Sequence, residues 1–188
     1  WDELNRLREF KIPSNKQALE RVRDVFLFQC FTGLRYSDVF NLRRSDIKGD
    51  HIEVTTVKTS DSLIIELNNH SKAILDKYKD VAFEYDKVLP VITNQKMNDY
   101  LKELSGIDEP IRQTYYKGNE RIDDVTPKYA LLGTHAGRRT FICNALALGI
   151  PPQVVMKWTG HSDYKAMKPY IDIADDIKAN AMSKFNQL

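Results

Sequence analysis

Cysteine is scarce: two in 188 residues, Cys30 and Cys143. Each sits among apolar neighbours, in Phe28-Gln29-Cys30-Phe31 and Phe141-Ile142-Cys143-Asn144, the setting of buried free thiols rather than of a disulfide framework or a metal site. No apolar run approaches the roughly 18 residues that would point to a membrane span, and the start, Trp1-Asp2-Glu3-Leu4, lacks the basic and apolar regions of a signal peptide. A soluble, cytoplasmic protein without a membrane partner is expected. Charge of one sign is also scarce: the net +2 is too mild to identify a nucleic-acid binder by composition, so any case for one rests on where the basic residues fall. There is no Gly-x-x-x-x-Gly-Lys loop to cradle a nucleotide phosphate. The four histidines, His51, His70, His135 and His161, show no zinc spacing, so neither metal nor cofactor is expected. Repeats and low-complexity stretches are absent.

What is present suits a single core. At this length, with 42% hydrophobic residues, one compact domain over 1–188 is the default. The start at Trp1 without an initiating Met suggests a piece of a larger protein with domains upstream. Ser14 and Gln17 have the capping-box spacing, and Leu19, Val22, Phe26, Leu27 and Cys30 then recur at helical intervals up to Gly33. A short helix from Ser37 through Leu42 places Arg35 in the connection between two helices.

From Asp46 the period changes. Ile52, Val54 and Thr56 alternate after a Gly49-Asp50 turn, and Leu63 to Leu67 forms another strand, giving a small antiparallel sheet of about three strands. Lys58-Thr59-Ser60-Asp61 reads as the turn between the last two, with Lys58 at its tip. Helical patterns return at Ser71 to Val81 and Asn94 to Leu104, the second closed by Gly106. A hairpin around Lys117-Gly118-Asn119 is suggested, with Asp123-Asp124 in a solvated loop. Thr134 is suited to cap a helix to Leu148, Pro152 to open the next as far as Trp158, and Ser162 to cap a short helix that Pro169 interrupts. Tyr170 then lies at a break between helices. The tail after Ile171 is again helical in pattern, with Ile173, Ile177, Ala181 and Phe185 on one face. The fold class expected is mainly α (α+β).

Attack on a phosphodiester needs a nucleophile, cations to absorb charge on the non-bridging oxygens, and an acid for the departing sugar oxygen. His135 and Arg138, three residues apart near a helix start, project toward one target. Alone, such a pair is commonplace. The wider order is specific: Thr32-Gly33-Leu34-Arg35 with Asp38, Lys58 on a hairpin, His135-x-x-Arg138-Arg139-Thr140, Gly160-His161, and Tyr170 nine residues after His161. With this order, from about Ser14 to Ile171, the sequence resembles the tyrosine recombinase (phage integrase) family.

The resemblance implies roles. Arg35 and Arg138 grip the scissile phosphate with guanidinium forks suited to two oxygens. Lys58 is the general acid on the leaving 5′ hydroxyl, His135 and His161 bind the phosphate and assist proton transfer, and Asp38 holds the site together. Tyr170 is the nucleophile, forming a 3′-phosphotyrosyl link that keeps the energy of the broken bond, so no ATP is needed. A phenol with pKa about 10 is barely ionised at neutral pH, so its proton needs an acceptor, for which His135 is the nearer candidate. Arg139, Lys157, Lys165 and Lys168 surround the site in sequence and would contact DNA backbone.

The expected partner is double-stranded DNA, with four protomers assembling on two DNA segments, weak association when free, and a place on the nucleoid. The expected function is that of a site-specific recombinase or integrase serving a mobile element. Two alternatives stand beside it: a type IB topoisomerase, which shares the Arg, Lys, His and Tyr set, and a DNA-binding regulator that kept the fold and lost catalysis. The short His161-to-Tyr170 connection and the six filled positions weigh against them. Arg138→Lys is expected to remove cleavage while leaving the fold intact.

Overall fold

The apolar positions of residues 17–32 cover more than one face, and a helix of that kind has to be enclosed. In the computed structural model, which describes residues 2–105 and 110–172, helix α2 (Gln17–Thr32) is buried at every residue from Asp24 to Thr32, and at Leu19 and Val22 before them, and forms the axis of the larger core. Around it pack α1 (Asp2–Glu9), α3 (Tyr36–Asn41), α4 (Asn69–Tyr78) and α5 (Asn94–Ser105). Each fully buried side chain such as Phe28, Leu34, Leu42 or Leu101 contributes about 1.5–3 kcal/mol of apolar burial. Among the described residues no helix is long and apolar enough to cross a membrane.

The sheet has the expected three antiparallel strands: β1 (Ile47–Lys48), β2 (His51–Thr55) and β3 (Ser62–Glu66), in that order. Ile52 pairs with Ile65 and Val54 with Leu63, so one face meets the core and the other, with Ile64 and Glu66, meets solvent. A second hairpin joins β4 (Pro110–Lys117) to β5 (Glu120–Pro127). Here the expected loop at Asp123-Asp124 is corrected: both residues are in β5, exposed on an outer edge, and Asp123 accepts a hydrogen bond from the Thr114 hydroxyl at 2.6 Å. Adjacent residues of a strand point to opposite faces, and both carboxylates are exposed, so this part of the strand meets water on both faces.

The smaller core is built by α6 (Thr134–Ala147), α7 (Pro152–Thr159) and α8 (Lys168–Asp172), around Ile142, Ala145, Leu146, Val155 and Met167. Gly137 lets α6 lie close against α2, because a Cβ there would meet Gln29 Cβ at 2.9 Å.

Several helix ends differ from expectation. Ser14 does not cap α2; the chain turns at Pro13, Lys16 is the N-cap, and Gln17 becomes the first helical residue instead of the third. Asn68 opens α4 by accepting from the His70 and Ser71 amides, and α4 ends at Tyr78. Thr134 is the first residue of α6 rather than its cap: Asn98 of α5 takes the Thr134 amide at 2.8 Å, while the Thr134 hydroxyl donates to Asn94. Ser162 yields to Asp163, whose carboxylate accepts from the Lys165 amide. Pro169 does not interrupt a helix but lies in the first turn of α8, where a missing N–H costs nothing. Cys30 is buried and its thiol is pushed well up by that burial, whereas Cys143 is only half-buried. Gly106 and the tail with Ile173, Ile177, Ala181 and Phe185 lie outside the described residues.

Candidate active site

Arg35 is placed by a turn that only glycine takes easily. Gly33 ends α2 at φ +73° and a Cβ on it would meet the Phe141 ring at 2.5 Å. Two residues on, Arg35 is the N-cap of α3, with its side chain 20% exposed. Asp38, in the first turn of α3, has a fully buried side chain whose two oxygens face different ways: Oδ2 lies 3.8 Å from Arg35 Nη1, and Oδ1 accepts the Val57 amide at 2.9 Å. One carboxylate thereby joins the Arg35 loop to the turn that carries Lys58. That turn is braced from within, the Thr56 hydroxyl lying 2.8 Å from the Thr59 hydroxyl and accepting the Asp61 amide at 3.1 Å, and Lys58 is exposed at its tip.

Arg138 is 3% exposed and held by backbone carbonyls of two other elements: Nη1 donates to Gly33 at 2.9 Å and Nη2 to Thr159. Burial, then the like charge of Arg35, pushes its guanidinium down to about 10, with Asp38 and Tyr170 acting in the opposite direction. It stays charged at neutral pH, with Arg35 and Tyr170 within electrostatic reach. His161 follows the C-terminal turn of α7, with Nδ1 2.7 Å from the Thr159 hydroxyl and Nε2 3.5 Å from Arg138 Nη2. Burial, and then Arg138, Arg35 and His135, lower its pKa to about 4. His135, exposed one turn before Arg138, is lowered for the same reasons: loss of hydration first, then Arg138, Arg139, Arg35 and Lys58. Both imidazoles are neutral at pH 7.

Arg35, Tyr36, Ser37, Thr134, His135 and Arg138 line an open concavity of about 230 Å³ with no acidic residue among them. Tyr170, half-buried in α8, packs on the smaller core beside Met167 and within electrostatic reach of Arg138. Arg35, Lys58, His135, Arg138, His161 and Tyr170, the six residues expected from the sequence, lie within electrostatic reach of one another, brought together by the packing of their elements against the mutual repulsion of the cations. Arg139, Lys157, Lys165 and Lys168 are all exposed; of these, Arg139 is near enough to act on His135, and Lys157 lines a groove with His161 between α7 and β3. Sequence reasoning missed Thr159, Gly137 and Asn98. A polar residue closing an apolar helix immediately before Gly160-His161 was the available signal for the first.

The sequence model of the phage integrase family matches residues 2–176. The chain belongs to that family. Solved recombinases share its fold: XerA recombinase at 18% identity and TM-score 0.63, with 90% of this chain and 57% of that chain covered, and XerH recombinase bound to palindromic difH substrate at 14% identity and TM-score 0.65, with 98% and 50% covered. The lambda integrase catalytic core aligns at 17% identity and TM-score 0.59 over 86% of this chain and 90% of that one. The chain spans about half the length of the XerA and XerH chains it matches. No curated protein sequence matches it. For this member of the phage integrase family the low identities carry the fold, and the site rests on its own geometry.

Proposed function

We propose that this phage integrase is the strand-exchange domain of a site-specific DNA recombinase, working through a covalent 3′-phosphotyrosyl intermediate. The observation that carries the reading is the acid-free concavity in which buried Arg138 and the Asp38-anchored Arg35 converge with His135. Two fixed guanidinium groups without a neighbouring carboxylate on the same surface form a receptor for a phosphodiester anion, preorganised before the substrate arrives.

In this reading Tyr170 Oη attacks phosphorus and His135, neutral and beside the site, accepts the phenolic proton. The bond from phosphorus to the 5′ oxygen breaks, and Lys58 supplies that oxygen with a proton from its exposed turn. The arginines hold the charge that grows on the non-bridging oxygens, and His161 donates to one of them. The reverse attack by a 5′ hydroxyl rejoins the strand without a nucleotide cofactor. Arg139, Lys157, Lys165 and Lys168 grip flanking backbone, giving affinity that falls with salt. The DNA complexes of XerH and of the Tn1549 transposon integrase among the similar folds support DNA as partner and a mobile element as the setting; four protomers on two DNA sites is the assembly that this reading assigns.

Incubation with nicked duplexes tiling the DNA around the gene, followed by a denaturing gel, tests the reading. A protein–DNA band that survives denaturant in the wild type and vanishes in Tyr170→Phe is expected. DNA binding without such a band on any duplex would instead identify a regulator that kept the fold and lost catalysis.

A further inference from the structure

Thr159, the last residue of α7, is polar yet fully buried, and nothing in the mechanism above gives it a task. Its hydroxyl lies 2.6 Å from the Val155 carbonyl oxygen and 2.7 Å from His161 Nδ1. A carbonyl can only accept, so the hydroxyl proton goes to Val155, and only oxygen lone pairs remain for the imidazole. Nδ1 must therefore carry the proton. The lone pair of the neutral ring is then at Nε2, the nitrogen that faces Arg138 Nη2 at 3.5 Å, and a guanidinium has nothing but donors to offer it. Two contacts on opposite sides of the ring assign the same tautomer. The backbone carbonyl of Thr159 also accepts from Arg138 Nη2, so a single residue orients both groups.

We propose that Thr159 is a positioning residue that locks His161 in the Nδ1–H tautomer and aims its basic Nε2 at the phosphate position beside Arg138. This rests on the reading of His161 as a phosphate-side group. A phosphodiester has no proton to give Nε2, so binding of the anion draws one proton from solvent onto that nitrogen, which then donates to a non-bridging oxygen while Nδ1–H stays on Thr159. The free site holds its proton carrier empty and correctly turned, and binding of the anion loads it.

The test uses Thr159→Val, which keeps shape and removes the hydroxyl, and Thr159→Ser, which restores it. Imidazole nitrogen resonances of 15N-labelled protein at pH 7.5 should show a protonated Nδ1 and an unprotonated Nε2 for His161 in the wild type and the Ser variant, and loss of that pattern in Val. Cleavage of a nicked duplex should be slower in Val by about tenfold or more, as expected when a proton-transfer group is misplaced, at an unchanged melting temperature, and close to wild type in Ser. An unprotonated Nδ1 in the wild type, retention of Nδ1–H in Val, or a cleavage loss that Ser does not relieve would overturn the proposal. If the wild type cleaves no DNA, the recombinase reading fails, and the nitrogen resonances still decide on Thr159.

Discussion

At the scale of single residues the site depends on contacts that hold Arg138 and His161 in place before DNA arrives. Arg138 joins Gly33 in the turn after α2 to Thr159 at the end of α7, so it is both a receptor for phosphate and a staple between the two cores. The expectation that Arg138→Lys would spare the fold has to be revised on this ground. A lysine ammonium cannot reach two carbonyls in opposite directions while presenting a planar edge, and each carbonyl left buried without a donor costs about 1–3 kcal/mol. The variant should lose covalent-complex formation and also melt several degrees lower in a calorimetric scan. Wild-type melting would show that the two carbonyl contacts are dispensable. The arginine itself was legible from the spacing His135-x-x-Arg138, because residues three apart on a helix share a face. Its double anchorage was not, because Gly33 and Thr159 are distant in sequence and contribute backbone atoms that carry no residue signature.

At the scale of elements, the main unit is the α3–turn pair held by Asp38. Removing the carboxylate in Asp38→Ala strips Arg35 of its counter-charge and leaves the Val57 amide without its acceptor. Faster hydrogen exchange at residues 57–60 is expected, together with slower cleavage, while Asp38→Asn, which keeps an acceptor for Val57, should protect the turn and still impair Arg35. Equal exchange in all three proteins would mean that Asp38 does not hold the Lys58 turn. The strands and the larger helices could be read from the sequence because periods of two and 3.6 are local properties. Helix starts were read less well for a physical reason: several residues of one stretch can cap, and the choice is made elsewhere in the molecule. Asn98 of α5 caps α6 in place of Thr134, and Asp163 displaces Ser162. Pro169 was misjudged because a proline that breaks a helix and one that opens it look alike until the preceding turn, Tyr164–Ala166, is seen to end by itself.

At the scale of the whole molecule, the near-neutral total charge conceals a cluster of cations around the seam between the two cores, and that cluster has a thermodynamic signature in pH. His135 and His161 are both harder to protonate in the folded chain than the ordinary value of 6.5. Above that pH neither the folded nor the unfolded chain binds these protons, and stability is unaffected. As pH falls through about 6.5 the unfolded chain takes them up first, so stability drops, and it goes on dropping until the folded His161 also protonates near pH 4. These two histidines should therefore leave melting temperature unchanged from pH 8 to 7 and lower it below about 6.5, against the opposite contribution of His51, which Asp50 and Glu53 make easier to protonate in the folded chain; the His161→Asn variant, which keeps a donor for Thr159 but cannot titrate, should decline less steeply. Duplex DNA acts in the opposite sense: burial first, then the Arg138 and Arg35 charges, keeps the ring neutral, and a bound phosphate offsets the second of these. With saturating duplex the decline should be shallower, because its onset is set by the unfolded chain near about 6.5 and DNA raises only the folded value, and binding measured near pH 6 in two buffers of different ionisation enthalpy should report net proton uptake that His161→Asn reduces. A decline that DNA leaves unmoved, or uptake that survives the substitution, would place the titrating group away from the arginines and His161 outside the phosphate site.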